Sequence, residues 1–257
     1  MADKKFGLFF GVPVHSNVSI HFTQACLNMQ RYCDMNNIPC VFYMLQGSLV
    51  SHNRNLIVSQ FLQSDKEYTH LIFIDSDIYF NVETIINMIQ TEKEVIASPY
   101  PMKFFDWNKM WNKVQKGDVK SADELMSAGL TFPVKVKDDK SILTPQGYME
   151  ISHVPTGCLS LNRNVFYKMI EEYPDLKLKE KADPKDKEVR PFFYNFFDCY
   201  HDKENGKYYG EDFGFSLLWT KMGGKIYAYI MDDIAHIGDF AFHGRMYDDL
   251  TYKIPLK

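Results

Sequence analysis

The sequence has few of the features that mark secreted proteins. Its five cysteines, Cys26, Cys33, Cys40, Cys158 and Cys199, are scattered and form no C-x-x-C pair. An odd, scattered set of cysteines argues against a disulfide framework. We therefore expect reduced, mostly buried thiols and a cytoplasmic location, which would be the host cytoplasm if the source is a virus.

Long apolar runs and an excess of basic residues are absent as well. The apolar run at residues 6–10 is shorter than the core of a signal peptide. No stretch approaches the roughly 20 apolar residues that a membrane-spanning helix needs. The formal net charge is -4, so the chain lacks the basic excess of a nucleic-acid-binding protein. We expect no signal peptide, no transmembrane segment and no nucleic-acid partner.

What the chain does contain is enough apolar material for a large core. It has 257 residues, of which 46% are hydrophobic and 15% aromatic. The unbroken apolar run at 71–74 predicts a buried strand. Further stretches rich in apolar residues predict strands at 6–14, 39–45, 94–101, 153–161 and 225–230, and helical spacing separates several of them. Strands that alternate with helices predict an α/β fold with a mostly parallel central sheet flanked by helices. We expect a single domain over residues 1–257, with long, partly helical acceptor-side loops at 104–148.

The most informative stretch is the acidic sequence Asp75-Ser76-Asp77. It follows the apolar run at 71–74 directly, so it lies at the predicted carboxyl end of a buried strand. Ligands of open α/β sheets bind outside this end of the strands. Two carboxylates one residue apart predict a site for a hard divalent cation, which often brings a phosphate with it. The alternative is an ordinary surface turn, because Asp and Ser are common in turns.

Two basic residues and the pair Thr156-Gly157 on a predicted strand are further candidates for the same end of the sheet. Arg54 falls in the first turns of a predicted helix, where it could meet a phosphate together with free backbone N–H groups. Lys103 follows the strand at 94–101, and Thr156-Gly157 could bring backbone close to a ligand. Surface exposure is the commoner situation for a lone Arg or Lys.

Acids and histidines in the last third of the chain complete the set. Glu211 and Asp212 follow a glycine and precede an apolar run, which predicts the amino terminus of a helix. Such acids also serve simply to stabilise a helix start. His236 and His243 follow the last predicted strand, where either could complete a metal site begun by the acidic stretch. The first strand end lacks G-x-G-x-x-G, so a dehydrogenase-type dinucleotide site is not supported.

Taken together, these stretches resemble the GT-A class of nucleotide-sugar-dependent glycosyltransferases. The resemblance is to the small viral, phage and bacterial members, with a fainter likeness to fungal Anp1-type mannosyltransferases. It spans residues 6–244. It rests on an ordered set of motifs: Ser51-x-x-Arg54-Asn55, Asp75-Ser-Asp77, Tyr100-Pro-x-Lys103, Pro155-Thr-Gly157, Gly210-Glu-Asp212 and His236-x-Gly238.

The resemblance implies a role for each motif on the donor side. Asp75 and Asp77 would contact the ribose and hold Mn²⁺ or Mg²⁺ against the donor diphosphate. Asp77 would be the direct metal ligand, His236 the second and His243 the reserve. The remaining donor-side residues implied by the resemblance are Pro13 and His15 at the nucleobase, with Arg54, Ser76, Lys103, Thr156 and Gly157.

On the acceptor side, the resemblance points to Asp212 as the base that activates the acceptor hydroxyl, with Glu211 next. No motif decides between inversion and retention of configuration at the sugar. Residues 1–103 would then form the nucleotide-sugar-binding half, and residues 104–257 the acceptor and catalytic half.

The function so implied is metal-dependent transfer of a sugar from a nucleoside-diphosphate sugar to a hydroxyl of a glycan or glycoprotein acceptor. A UDP-sugar is favoured as donor and a GDP-sugar is possible. One alternative is a non-catalytic protein that binds nucleotide sugars or carbohydrate on the same fold. A phosphohydrolase of the haloacid dehalogenase type ranks lower, because its Asp-x-Asp usually follows the first strand, and here it follows about the third.

Overall fold

The computed structural model describes residues 6–136, 143–179, 181, 188 and 190–250. The strands in these residues are β1 Leu8–Val14, β2 Cys40–Gln46, β3 His70–Ile74, β4 Ile78–Tyr79, β5 Val95–Ala97, β6 Lys135–Val136, β7 Tyr148–His153, β8 Cys158–Asn162, β9 Tyr200–Asp202, β10 Lys207–Tyr209, β11 Ile226–Tyr229, β12 Ile234–Ile237 and β13 Ala241–Gly244. The helices are α1 Ile20–Asn36, α2 Val50–Gln63, α3 Val82–Gln90, α4 Trp107–Gln115, α5 Ala122–Ala128, α6 Arg163–Glu172, α7 Glu211–Lys221 and α8 Met246–Leu250, with a 3₁₀ turn at Pro174–Leu176.

The predicted fold class is confirmed by the central sheet. Its order is β2-β1-β3-β8-β5-β11-β7-β6, and within the described residues every strand except β8 and β7 runs in one direction. Strand β8, from the second half of the chain, therefore lies between β3 and β5 from the first half. A second sheet has the order β13-β12-β4, and β9 pairs with β10 in a separate hairpin.

Both faces of the sheet are covered, as the unbroken apolar runs predict. All of β1 is buried: Phe9 packs into one hydrophobic cluster, whereas Leu8 and Phe10 pack into the other. Helix α2 lies against the first of these faces. A Cβ added at Gly11 would come within 2.3 Å of Ile57 on α2, so this glycine allows the close approach that positions the helix.

One predicted strand is wrong in its extent. The apolar run at 153–161 was expected to be continuous, but β7 ends at His153 and β8 begins at Cys158. Thr156 and Gly157 form a turn between the two strands. The two strands have different neighbours, because β7 pairs with β11 while β8 lies between β3 and β5. Since β8 runs opposite to those neighbours, its amino end lies beside their carboxyl ends.

None of the helices in the described part of the chain has the length and apolar content required to span a membrane.

Candidate functional site

The acidic stretch forms a tight turn at the carboxyl end of β3. The Ile78 N–H donates to the Asp75 carbonyl at 3.0 Å, and the Asp75 N–H donates to the Gly157 carbonyl at 3.0 Å. After the turn, β4 pairs with β12, with Ile78 opposite His236. The residues therefore form a turn, as one interpretation of the sequence predicts. The turn lies at the predicted ligand-binding edge of the sheet, and cation binding there stays a prediction.

A buried arginine holds the first carboxylate of the turn. Arg54 Nη2 lies 2.8 Å from Asp75 Oδ1, and Arg54 Nε lies 3.2 Å from Glu211 Oε1. Its Nη1 donates to the Thr156 carbonyl at 3.5 Å, and its guanidinium lies 5.1 Å from the centre of the Phe73 ring. The Arg54 side chain is only 2% exposed. Arg54 is therefore a connector between three chain segments, and its direct contact with a donor remains a prediction.

The charge of Arg54 is stabilised by its two carboxylate partners. Burial alone would lower the pKa of the guanidinium, but the charges of Asp75 and Glu211 outweigh burial and raise it. A buried cation with two anionic partners and three hydrogen bonds is satisfied in place. The cluster of Arg54, Asp75 and Glu211 therefore fixes the position of the turn.

The second carboxylate of the turn faces an open edge. Asp77 Oδ2 lies 2.5 Å from Lys103 Nζ and 3.5 Å from His236 Nε2, and the Asp77 side chain is 38% exposed. Burial would raise the pKa of Asp77, but the neighbouring His236 and Lys103 more than offset it and lower the pKa to about 2. Asp77 is therefore ionised at neutral pH.

The orientation of His236 suits a metal ligand. Its Nδ1 lies 3.0 Å from the Pro101 carbonyl, which can only accept a hydrogen bond, so Nδ1 carries the proton. Nε2 faces Asp77 Oδ2 at 3.5 Å, so it donates to that carboxylate when the ring is charged and offers a lone pair to a ligand when the ring is neutral. A metal-binding histidine usually donates its other N–H to a carbonyl or carboxylate in this way. The part of the chain described here has no group of three or more His, Cys, Asp and Glu side chains arranged for a metal.

A cavity of about 210 Å³ lies between β1, α2 and the acidic turn. Among the predicted donor-side residues it collects Pro13 and His15 together with Asp75, Ser76, Asp77 and His236. Sequence reasoning did not single out its other lining residues, which are Gly47, Ser48, Val50 and Asn53. Val50 opens α2, whose first N–H groups lack helical partners and favour anions.

His243, the reserve metal ligand, is not brought to Asp77. It lies opposite Ala235 in the β12–β13 ladder, whereas His236 lies opposite Phe242. Successive side chains of a strand point to opposite faces, so the two histidines face different sides of this small sheet. His243 instead lies 3.5 Å from Asp233 Oδ2, in a separate cavity of about 580 Å³.

The two predicted catalytic acids begin α7 and have different surroundings. Glu211 is held by Arg54. Asp212 accepts a hydrogen bond from the Phe213 N–H at 2.7 Å, and the charges of Arg54 and His153 act on it only as smaller effects than its burial. Burial, with the charge of Glu211 adding to it, raises the pKa of Asp212. A raised pKa is what a carboxylate base requires, and it favours Asp212 over Glu211 for that role.

Tyr100 is a residue of this site to which sequence reasoning gave no role. Its ring centre lies 5.0 Å from that of His236 at 76°. Burial, with the charge of Asp75 adding to it, raises the pKa of its hydroxyl well above the usual value. A Cβ added at Gly157 would lie 2.6 Å from the Tyr100 ring. The Tyr100 ring therefore packs closely against Gly157, and an approach of Gly157 to a ligand stays a prediction. The Tyr100-Pro-x-Lys103 motif was the available signal, since it contains this tyrosine.

Comparison with known proteins shows distant structural likeness only. No family model and no curated protein matches the chain. Among solved structures, A197 from STIV matches with a TM-score of 0.46 and 18% identity, over 91% of this chain and 86% of that one.

Two other structures match less extensively. A glycosyltransferase involved in the glycosylation of the major capsid of PBCV-1 has a TM-score of 0.31 and 11% identity, over 65% of this chain and 68% of that one. The 4-diphosphocytidyl-2C-methyl-D-erythritol synthase of Anaerococcus prevotii has a TM-score of 0.33 and 10% identity, over 69% and 79%. At these values the likeness carries no functional argument, so function is argued below from the site.

Proposed function

We propose that this chain is a metal-dependent glycosyltransferase. It moves a sugar from a nucleoside-diphosphate sugar, a UDP-sugar in the first instance, to a hydroxyl of a glycan or glycoconjugate. One observation carries the proposal: Asp77, with His236 and Lys103 beside it, borders a cavity lined by Pro13 and His15 at the carboxyl edge of the sheet. This arrangement provides oxygen and nitrogen donors and positive charge where a diphosphate would lie.

The donor atoms at Asp77 fit a divalent cation that keeps part of its shell for water and phosphate. Asp77 Oδ2 and His236 Nε2 are the two atoms of this chain that would hold it. Mg²⁺ and Mn²⁺ accept such sites, because one or two carboxylates and the substrate phosphates suffice. When bound, the ion supplies charge neutralisation at the departing diphosphate.

Lys103 and Arg54 support the same reaction in different ways, Lys103 by direct contact with the diphosphate and Arg54 through Asp75. Lys103 is 35% exposed and can exchange its contact with Asp77 for one with a phosphate oxygen, where it would stabilise the negative charge of the leaving group. Arg54 is buried and holds Asp75 in place, so it acts as a positioning residue.

Asp212 is the proposed base if the reaction inverts. Its carboxylate takes the proton of the acceptor hydroxyl while that oxygen attacks the anomeric carbon and the bond from that carbon to the diphosphate oxygen breaks. Because burial raises the pKa of Asp212, the transfer rate should fall as the pH drops through this raised value, above the usual 3.8 of an aspartate.

A nucleotide-sugar-binding protein without turnover is the second candidate. The contact that favours it is the hydrogen bond from the Phe213 N–H to Asp212 Oδ1, because a carboxylate used at a helix start needs no catalytic role.

Incubation with a panel of UDP- and GDP-sugars and Mn²⁺ distinguishes these candidates. We expect release of nucleoside diphosphate from at least one donor, slowly to water when no acceptor is present, and loss of that release with EDTA. Mn²⁺-dependent binding without any release would favour the binding protein. If the protein bound no donor and released nucleoside diphosphate from none, both candidate functions would be contradicted.

Asp212→Asn tests the base once a donor is known. We expect donor binding near wild type and transfer slower by about 10²–10⁴-fold, the usual contribution of a general base. Asp123→Asn is the matched control, since Asp123 occupies the same second position of α5 as Asp212 does of α7. Unchanged transfer by Asp212→Asn would remove Asp212 from the base role.

A further inference from the structure

Two of the three tryptophans of the chain lie on the surface beside the candidate site. Trp219 is only 2% exposed, whereas Trp107 is 68% and Trp111 62% exposed. Tryptophan is on average a largely buried residue. Large apolar rings that lie together on a surface indicate a binding site.

Helix α4 is held with these two rings facing outward. Trp107 and Trp111 are four residues apart, so they occupy the same face of the helix. Lys109 and Lys113 lie on the opposite face, where both pair with Asp249, at 2.6 and 3.1 Å. The exposed rings therefore occupy the face that this ion-pair cluster leaves outward.

Ring contacts connect α4 to the turn after β12. The Phe105 ring centre lies 5.5 Å from that of Trp107, 5.7 Å from that of Phe240 and 5.2 Å from that of Phe242. Phe242 is part of the hydrophobic core, whereas Phe240 is 50% exposed. Phe105 thus supports Trp107 and Phe240 from below, and Trp111 lies one turn further along the same face of α4 as Trp107. We call Trp107, Trp111 and Phe240 the aromatic platform.

The aromatic platform is continuous with the candidate site through Lys103. The Gly238 N–H donates to the Phe240 carbonyl at 3.0 Å, which closes the turn that presents Phe240. A Cβ added at Gly238 would lie 3.2 Å from Lys103 Cδ, and Lys103 Nζ contacts Asp77. The nucleotide-side cavity is lined from β1, α2 and the acidic turn. The platform comes from other segments of the chain, so it extends the site beyond Lys103.

We propose that the aromatic platform binds the pyranose rings of a carbohydrate acceptor. The proposal rests on the proposed function and names the acceptor class for the same site. A pyranose presents a flat face of C–H groups that matches an aromatic ring, while its hydroxyls stay in water at the rim. Sites of this kind combine aromatic surface with a few polar groups at the reacting end, and here those groups are Asp77, Lys103 and His236.

Calorimetric titration with defined oligosaccharides tests the platform. The probes are cellotetraose, maltotetraose, mannotetraose and tetraacetylchitotetraose. We expect at least one to bind wild type and to change its tryptophan fluorescence, because two of its three indoles are exposed. The double variant Trp107→Ala/Trp111→Ala should bind that probe about tenfold more weakly or worse. Phe240→Ala should weaken binding in the same direction. Tyr167→Ala, an exposed ring on α6, is the matched control and should bind like wild type.

The same variants separate this proposal from the proposed function. Mn²⁺-dependent UDP binding should be unchanged in the double variant, and its loss there would assign the rings to the donor and overturn the proposal. Absence of UDP binding in wild type would count against the proposed function, while the oligosaccharide titration would still decide the platform.

Other outcomes would overturn the proposal as well. These are no binding of any probe, equal binding by the double variant, and a wild-type dimer that the double variant dissociates. Binding to phosphatidylcholine–phosphatidylglycerol vesicles that requires both tryptophans, without oligosaccharide binding, would likewise overturn it.

Discussion

The two aspartates of the acidic turn are one residue apart and 28% and 38% exposed, but they have different kinds of partner. Asp75 is held by Arg54, whose side chain is 2% exposed and which also binds Glu211. Asp77 is 38% exposed and contacts Lys103 and His236, both of which reach the open edge. A buried ion pair with a second carboxylate cannot exchange its partners, whereas an exposed pair can. The comparison indicates that Asp75 holds the turn in position and that Asp77 is the carboxylate able to take a ligand.

The largest effect should come from removing Arg54, the buried partner of Asp75. Arg54→Met leaves Asp75 and Glu211 without their cation, and breaking a buried pair of this kind costs about 3–5 kcal/mol in free energy of unfolding. Lys168→Met is the control, because Lys168 and Glu94 form an exposed pair, which contributes about 1 kcal/mol or less. Urea denaturation measures both variants, and equal losses would contradict the distinction.

Asp77→Ala should reverse this pattern, with little loss of stability and a large loss of binding. We expect the free energy of unfolding to change by about 1 kcal/mol or less, since the pair is exposed. Mn²⁺-dependent UDP binding should weaken by about 100-fold or more. Mutating a residue that only supports a metal ligand already lowers metal affinity by about 10–100-fold, and Asp77 is proposed as a ligand itself.

Asp233→Ala is a close control for Asp77→Ala, since Asp233 Oδ2 also lies 3.5 Å from a histidine, His243. It should leave UDP binding as in wild type. Full-strength Mn²⁺-dependent binding of UDP or GDP by Asp77→Ala would remove Asp77 from the metal role.

His236→Ala should have a smaller effect on the same measurement. We expect the apparent affinity for Mn²⁺ in the presence of UDP to fall by about tenfold, because one of two protein ligands is lost while the carboxylate remains. His243→Ala should leave the Mn²⁺ titration unchanged. If the two variants exchanged these results, the metal assignment would move to His243.

The smallest effect should appear in the pH dependence of stability. Because the folded protein lowers the pKa of Asp77 to about 2 from 3.8, its stabilising contribution is complete above 3.8 and is lost as the pH falls towards about 2. The stability advantage of wild type over Asp77→Asn should therefore narrow as the pH falls from about 4 to about 2, measured by urea denaturation. An advantage that stayed constant would mean that the pKa of Asp77 is not lowered.

The sequence predicted the buried strand and the position of the acidic turn because both depend on local pattern. The run at 71–74 is apolar without alternation, and it is buried in β3. The burial of Arg54 could not be predicted from local pattern. A lone arginine is usually exposed, and its burial depends on Glu211, which lies 157 residues away in the chain.

Short strands were the other feature that could not be predicted from the sequence. Strands β4 and β12 have two and four residues, too few for a period, and yet their pairing places His236 beside the acidic turn. The end of β7 and nearly all of β8 were predicted as one strand, because Val154 and Pro155 between them are apolar. In the folded chain that segment turns, and the turn supplies the Thr156 carbonyl to Arg54 and the Gly157 carbonyl to Asp75.

The reversed strand β8 has a consequence for how the protein folds. Strands β1 to β3 with their helices can associate early, because their contacts are relatively close in sequence. Strand β8 must then insert between β3 and β5, with His70 opposite Asn162, and β11 must pair with β5, with Tyr227 opposite Ile96. Contacts at such separations form slowly. During synthesis the acidic turn therefore emerges long before Gly157 and Glu211, and the site is completed only when the last third of the chain has folded onto the first.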